Sequence, residues 1–453
     1  MLFLLLLLHL ILLINTRFTL WPEMVVYPYL LNNGFLLYQD NINPYPPALT
    51  YFLSIFTKFF GYYPLPFQIL TWSAILFSDL LIYLFTKKTF KKNFYAFASV
   101  LFFTVVSIPF GVNGLWFDLI QTPFILTSFY YFSEFLKKAK KTKLLLFSLL
   151  FLIVATLIKQ QTLWLFLGYL IILLVKFKPK ELIKFKELYL SIFVFIIAIL
   201  LQMIFFNSKG LLEDFVFLTI YFPFFKASSM PGYILLPTLR QIIPLISIYL
   251  IFLPLIFKRR SEVIFISLIS LTFAYPRFDY FHLIPALAIL FLGFTENLKA
   301  FMKSGVQIRA LSLIAVIFLS IFTTRYILKN RTWEVRFFER DIYSAGVFIS
   351  KITLPDDPIY IQNGPDQILP IAGRLPTKPW VDEFPWYLEI ARTQEKILEG
   401  LTKQKPKYTI FKPYDNQDKY EIGSYRPQKL ADFLDAHYKN HFQISDTLVK
   451  SYK

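Results

Sequence analysis

Between its first two long apolar runs the chain reads Trp21-Pro-Glu-Met-Val-Val-Tyr-Pro-Tyr-Leu-Leu-Asn-Asn-Gly-Phe-Leu-Leu-Tyr-Gln-Asp-Asn-Ile-Asn-Pro-Tyr-Pro-Pro47. Two carboxylates, Glu23 and Asp40, share this stretch with Gly34, a Tyr-x-Asp at Tyr38 to Asp40, and Pro46-Pro47. Apolar runs at 2–15 and 65–86 flank it, which puts both carboxylates at a membrane edge and suits a reaction site better than a plain connector. Tyr27, Leu30, Leu31 and Gly34 follow helical spacing. That spacing predicts an amphipathic helix over 22–33 lying on the membrane, ended by Gly34, with the prolines returning the chain to the bilayer.

Outward from this stretch the composition sets the class. Hydrophobic residues make up 56% of the chain, Phe alone numbers 53, and only 17% of residues are charged. Apolar runs recur from end to end, the mark of a polytopic α-helical membrane protein. About eleven spans are expected, at 2–15, 65–86, 94–110, 115–136, 144–158, 161–175, 188–206, 236–257, 262–275, 281–295 and 308–328, several of them shorter than the ~20 residues of a full crossing. The first run lacks the basic start and small-residue cleavage site of a signal peptide, so it reads as an anchor.

The chain has no cysteine, which removes disulfides, thiolate catalysis and thiolate metal sites. A net charge of +18 would suggest nucleic acid for a soluble protein. Here the Lys and Arg gather between apolar runs, at 87–92, 137–143, 176–186, 258–260 and 299–309, as topology signals do, and no nucleic-acid partner is expected. The positive-inside rule then places the N-terminus in the cytoplasm. The Glu23 stretch, Asp118, Lys159, Arg277 and the C-terminal tail fall outside.

Near residue 330 span-length apolar runs stop. Residues 1–329 therefore read as a transmembrane domain and 330–453 as a small extracytoplasmic α/β domain. Helices are expected at 334–352 and 388–401, and strands at 358–362 and 408–411. Asn330-Arg-Thr332 is a formal glycosylation sequon, a match short enough to arise by chance in a chain of this length.

Candidate site residues lie mostly on the expected outer side. A partly desolvated Glu23 can take a proton from an attacking hydroxyl, against the plainer reading of an acid at a helix start. Asp40 is a second candidate, or a turn former. Asp118, in Gly114-Leu-Trp-Phe-Asp-Leu-Ile-Gln-Thr-Pro123, sits at a span end where an ionisable group is costly unless it faces a cavity or partner. Asp79 is deeper and fits an interhelical contact. Lys159-Gln160-Gln161 interrupts two apolar runs and can meet a phosphate or form a short polar loop. In Tyr275-Pro-Arg-Phe-Asp-Tyr-Phe-His-Leu-Ile-Pro285, Arg277 suits bidentate phosphate contact and His282 can hydrogen-bond beside it, while Asp279 can pair with Arg277. No Gly-rich phosphate loop or His-Glu-x-x-His is present, so no metal residue is assigned, and a carboxylate-held divalent cation stays open as a cofactor.

Taken in order, these motifs resemble the integral-membrane GT-C glycosyltransferases, specifically the family 39, protein-mannosyltransferase-like branch of bacteria. The resemblance rests on Glu23, Gly34, Tyr38, Asp40 and Pro46-Pro47, then Asp118, Lys159-Gln160 and Pro276 to Pro285, and covers residues 1 to about 330. Two departures stand out. Many members have Asp-Glu where this chain has Pro22-Glu23, and many carry Lys before Pro-Pro where this chain has Tyr45.

The resemblance implies transfer of a sugar from a polyprenyl-phosphate donor to a lipid, glycan or protein acceptor in cell-envelope glycan synthesis. Glu23 would be the base in an inverting step. Asp40 and Asp118 would position hydroxyls, and Lys159, Gln160, Arg277 and His282 would hold the donor phosphate. Trp380, Trp386 and Tyr387 would stack on sugar or form an aromatic core. The competing readings are a transporter or flippase, which would place its polar groups near the midplane, and an oligosaccharide polymerase or ligase of another fold.

Overall fold

The computed structural model describes residues 2–138, 141–230, 232–256, 261–362, 364–382, 384–411, 427–444 and 447–453. The basic loop expected at 258–260 and part of that at 137–143 lie outside these residues. Each of the eleven apolar runs forms helix, because a chain in hydrocarbon must satisfy its backbone polar groups within the segment. Among the described residues, four helices are long and apolar enough to cross a bilayer: Pro64–Phe90, Asn93–Phe110, Lys186–Asn207 and Val306–Lys329. A fifth span would be the pair Tyr280–Leu292 and Phe294–Phe301, bent by 57°. Six shorter apolar helices accompany them, including Leu2–Ile14, Lys143–Ile158 and Leu239–Ile251.

The chain groups into two compact units. The first comprises Met1–Phe18, Gln68–Gln202 and Leu235–Trp333. Its core is built from facing helices, with Phe132 stacked on Tyr169 at 3.9 Å and Phe85 on Tyr130 at 4.0 Å. Gly168 allows the helix Leu163–Lys176 to lie close against Ser261–Ser270, since a Cβ there would come within 2.6 Å of Ile269 Cδ1. Deep in this unit, His9 Nδ1 and Asp79 Oδ2 stand 2.6 Å apart with both side chains fully buried. Asp79 is thus an interhelical contact between Leu2–Ile14 and Pro64–Phe90.

The second unit comprises Thr19–Phe67, Met203–Ile234 and Glu334–Lys453. The boundary read near residue 330 follows apolar run length, whereas this grouping follows which residues pack together. Its sheet has four strands, β1 (Ile359–Gln362), β2 (Tyr408–Phe411), β3 (Tyr438–Ile444) and β4 (Thr447–Tyr452), in the order β1-β2-β4-β3. β1 and β2 run parallel with Ile359 opposite Tyr408, and the other two pairings are antiparallel. The two strands expected from the sequence are β1 and β2. The expected helices appear as Arg340–Ile352 and Thr393–Gln404, both shorter than read. The β3–β4 hairpin was not expected, because β3 is largely exposed and carries too few apolar residues to signal a strand.

The helix expected over 22–33 is present as Glu23–Asn32, and Gly34 follows it with φ +81°. It does not lie on a membrane surface. Met24 to Leu30 are all buried, and Val26, Tyr27, Tyr29 and Leu30 pack with Ile359, Ile361, Leu369 and Trp380. A helix apolar on every side belongs in a core. Pro46-Pro47 leads first into Ala48–Phe60, a helix that buries Leu49, Leu53 and Thr57 and exposes Phe52, Ile55 and Phe59.

Candidate active site

Within the second unit, Glu23 occupies the first turn of its helix, where the free backbone N–H groups favour an acid. The side chain is partly covered. Its Oε2 atom is enclosed and accepts no hydrogen bond among the described residues. Loss of water, and then the charge of Asp382, push its pKa up to about 8. Asp382 lies buried, with Oδ2 accepting the Tyr27 hydroxyl at 2.9 Å. Tyr27 is four residues after Glu23, so it shares that helix face. Asp382 also hydrogen-bonds Asp366, and burial together with that second acid holds its pKa well above the usual carboxylate range.

Asp366 and Asp382 were not singled out from the sequence. Asp382 sits in Trp380-Val-Asp382, where the aromatic residues drew attention. Those aromatics form a packed core: Trp380, Trp386 and Tyr387 are buried, and Trp386 stacks on Phe384 at 4.5 Å.

Asp40 is engaged locally. Its Oδ2 accepts the Leu36 N–H at 2.8 Å and the Lys378 ammonium at 2.9 Å, while Lys378 also donates to Gly34 O. The Asp40 carbonyl accepts from Trp380 N at 2.8 Å. Asp40 therefore closes the turn after Gly34 and ties it to residues 378–380. Tyr38, at φ +78°, gives its hydroxyl to Tyr45 O and sets its ring against Phe206 and Phe215.

In the first unit, three residues read separately from the sequence converge. Asp118 Oδ2 stands 2.7 Å from Lys159 Nζ and 2.7 Å from His282 Nδ1. Asp118 Oδ1 accepts from Gln121 Nε2, whose Oε1 accepts from Thr162 Oγ1. Local structure sets each position. Asp118 opens Phe117–Lys137, and Lys159 is the extended residue that breaks Lys143–Ile158 from the next helix. His282 sits in the 3-10 turn Tyr280–Leu283, capped by Asp279 Oδ1 on Tyr280 N. Lys159 was expected to meet phosphate outside. It is instead 2% exposed, because its ammonium is held by Asp118.

Gln160 opens the turn Gln160–Thr162, and Gln161 donates to Tyr275 O at 2.7 Å. Arg277 is half-buried, with its backbone paired to Leu235. Among the described residues no three His, Asp or Glu side chains gather as a metal site would require.

Residues 44–205 match the family model of dolichyl-phosphate-mannose-protein mannosyltransferase. That window holds Asp118, Lys159 and Gln160, begins after Glu23 and ends before Arg277. Over nearly its whole length the chain superposes on ArnT from Cupriavidus metallidurans bound to undecaprenyl phosphate, with a TM-score of 0.66, 12% identity, and coverage of 99% of this chain and 97% of that one. The apo form of the same protein gives a TM-score of 0.64 at the same identity and coverage. This chain shares the fold of the ArnT structures along its length, and its residues 44–205 resemble the mannosyltransferase family model. It is a multi-pass membrane protein, in keeping with its long apolar helices. No curated protein matches it by sequence. The enclosed Glu23 and the Asp118–Lys159–His282 cluster are features of this chain's own side chains.

Proposed function

We propose that this GT-C protein transfers a sugar from a polyprenyl-phosphate donor to a lipid, glycan or protein acceptor on the outer face of the membrane, with Glu23 as base. The observation that carries the reading is the enclosed, unbonded Glu23 Oε2, on a group whose pKa is pushed to about 8. A base poised near the working pH combines a usable ionised fraction with real proton affinity. Both the family match and the bound undecaprenyl phosphate of the ArnT structure support the donor class.

In this reading Glu23 takes the proton of the acceptor hydroxyl as its oxygen bonds to the anomeric carbon. The bond from that carbon to phosphate breaks, and its electron pair leaves with the lipid phosphate. Configuration inverts because the displacement is direct. Arg277 and His282 are assigned the charge that grows on phosphate, with Asp118 and the buried Lys159 holding His282 in place and Gln160 beside them. Asp40 acts through the turn it closes. About eleven crossings, with the N-terminus inside and residues 330–453 outside, complete the arrangement.

The test is turnover by purified protein given undecaprenyl-phosphate monosaccharides and a membrane extract as acceptor. Release of undecaprenyl phosphate that Glu23→Gln abolishes while folding persists is the expected result. Turnover unchanged in that variant would remove Glu23 from the mechanism. No release with any donor would count against the transferase, and transport of the same lipids in vesicles would then be measured.

A further inference from the structure

Two elements of the helical unit meet through a single lysine. Lys299, on the helix Phe294–Phe301, sets its ammonium 4.4 Å from the ring centre of Phe90 and 5.0 Å from that of Tyr95. Those rings flank the turn between Pro64–Phe90 and Asn93–Phe110, so the cation–π contacts clasp the turn to the helix. Lys87 and Lys88 lie in the last turn of their span, over the rings of Tyr83 and Tyr130, and Lys91 and Lys92 follow in the turn itself. With Lys299 and Lys303 included, residues 83–95 and 294–303 hold six lysines against one acid, Glu296. Glu134, on the helix that carries Tyr130, has its two oxygens taken by Lys137 and Lys138.

We propose that this clasp is a binding site for the headgroup of an anionic phospholipid, held by Lys88, Lys92 and Lys299. The excess of lysine calls for an anion. Its place calls for a lipid: both elements continue apolar spans, and Phe294–Phe301 bends by 57° from Tyr280–Leu292, so the lysines stand at a membrane edge. Phe94, 64% exposed, and Met302, 69% exposed, flank them in sequence. A soluble polyanion has nothing to cover these apolar side chains, whereas the acyl chains of a phospholipid do. The positive-inside rule puts this edge on the cytoplasmic face, where juxtamembrane lysines meet anionic headgroups. The two rings also hold Lys299 in place before any lipid arrives. Among the described residues, no lysine of the basic stretch 176–186 is held between rings in this way.

The test is native mass spectrometry of the full-length protein in detergent, titrated with phosphatidylglycerol or with phosphatidylcholine of the same acyl chains. Phosphatidylglycerol should bind the more tightly. The triple variant Lys88→Gln, Lys92→Gln, Lys299→Gln should weaken it on the order of 100-fold, about five-fold per lysine. A second triple variant, Lys178→Gln, Lys180→Gln, Lys184→Gln, removes as much charge from the other basic stretch and should leave the affinity unchanged. Phe94→Ser with Met302→Ser should weaken phosphatidylglycerol while leaving the binding of inorganic tripolyphosphate as it was. Equal binding of the two lipids would overturn the proposal, as would equal losses in the two triple variants. Tighter binding of inorganic tripolyphosphate than of phosphatidylglycerol would also overturn it, since the site would then belong to a soluble anion. If the first triple variant does not fold, Lys92→Gln alone, at an exposed turn position, should weaken phosphatidylglycerol about five-fold, and no change there counts against the site.

Discussion

Lys159 and Asp118 form an ion pair of 2.7 Å in which neither side chain meets solvent, and His282 reaches the same carboxylate oxygen. A charge so enclosed depends on its partner, since removing one member leaves the other desolvated and unpaired. Lys159→Met should therefore lower stability by about 3 kcal/mol. Adding Asp118→Leu should recover much of that loss. Thermal unfolding in detergent, run as a double-mutant cycle, gives the coupling. Additive losses would show that the pair contributes no interaction energy.

Glu23→Gln should reduce turnover by at least about 100-fold, the usual contribution of a general base. Turnover of the native chain should rise with pH through a midpoint near 8. The variant's residual rate should lack that rise.

Stability should follow the same group in the opposite sense. The folded pKa of Glu23 is raised from 4.5 to about 8, so the folded state favours the neutral acid. Stability from that preference is fully present below about 4.5 and is lost as pH rises through about 8. Glu23→Gln mimics the neutral form. Its melting temperature should therefore depend less on pH than that of the native chain, and should exceed it above pH 8. A native melting curve with no such decline would place Glu23 in water.

The His9–Asp79 pair allows a test within the helical unit. His9→Leu or Asp79→Leu alone should cost about 3 kcal/mol, whereas the double substitution should come close to neutral. Equal losses in the single and double variants would mean the site needs polar side chains for another reason.

Asp40 separates a structural role from a substrate contact. Lys378→Met breaks a partly exposed pair and should cost under about 1 kcal/mol, with turnover largely kept. Asp40→Ala also frees the Leu36 N–H and should cost about 1–2 kcal/mol more. A large fall in turnover for Asp40→Asn with unchanged melting would return Asp40 to the list of substrate contacts.

Apolar runs made the helices easy to read, because length and hydropathy carry that signal without knowledge of neighbours. β1 and β2 were legible for the same reason, each being a short apolar segment. The Glu23 helix was assigned correctly but its surroundings were not: spacing of Tyr27, Leu30 and Leu31 suggested one apolar face, while Val25, Val26 and Tyr29 fill the other sides. Asp118, Lys159 and His282 were each noticed, yet their convergence depends on packing between positions as far apart as 164 residues. Asp366 and Asp382 carried no local signal at all. A lone Asp in a polar segment looks like a turn until its partner is known.

Tyr29 donates to the carbonyl of Arg374, 345 residues further on, and the rest of the Glu23 helix packs with residues as late as Ile359, Ile361 and Trp380. At roughly 5–20 residues per second of synthesis, that helix waits about 20–70 s for its neighbours. During that interval seven consecutive side chains destined for burial, Met24 to Leu30, have nowhere to go but the bilayer surface or a chaperone. Maturation of the base is thus timed by the end of translation rather than by insertion of the first helices. A chain truncated before residue 382 would have its membrane helices in place and its Glu23 still in water.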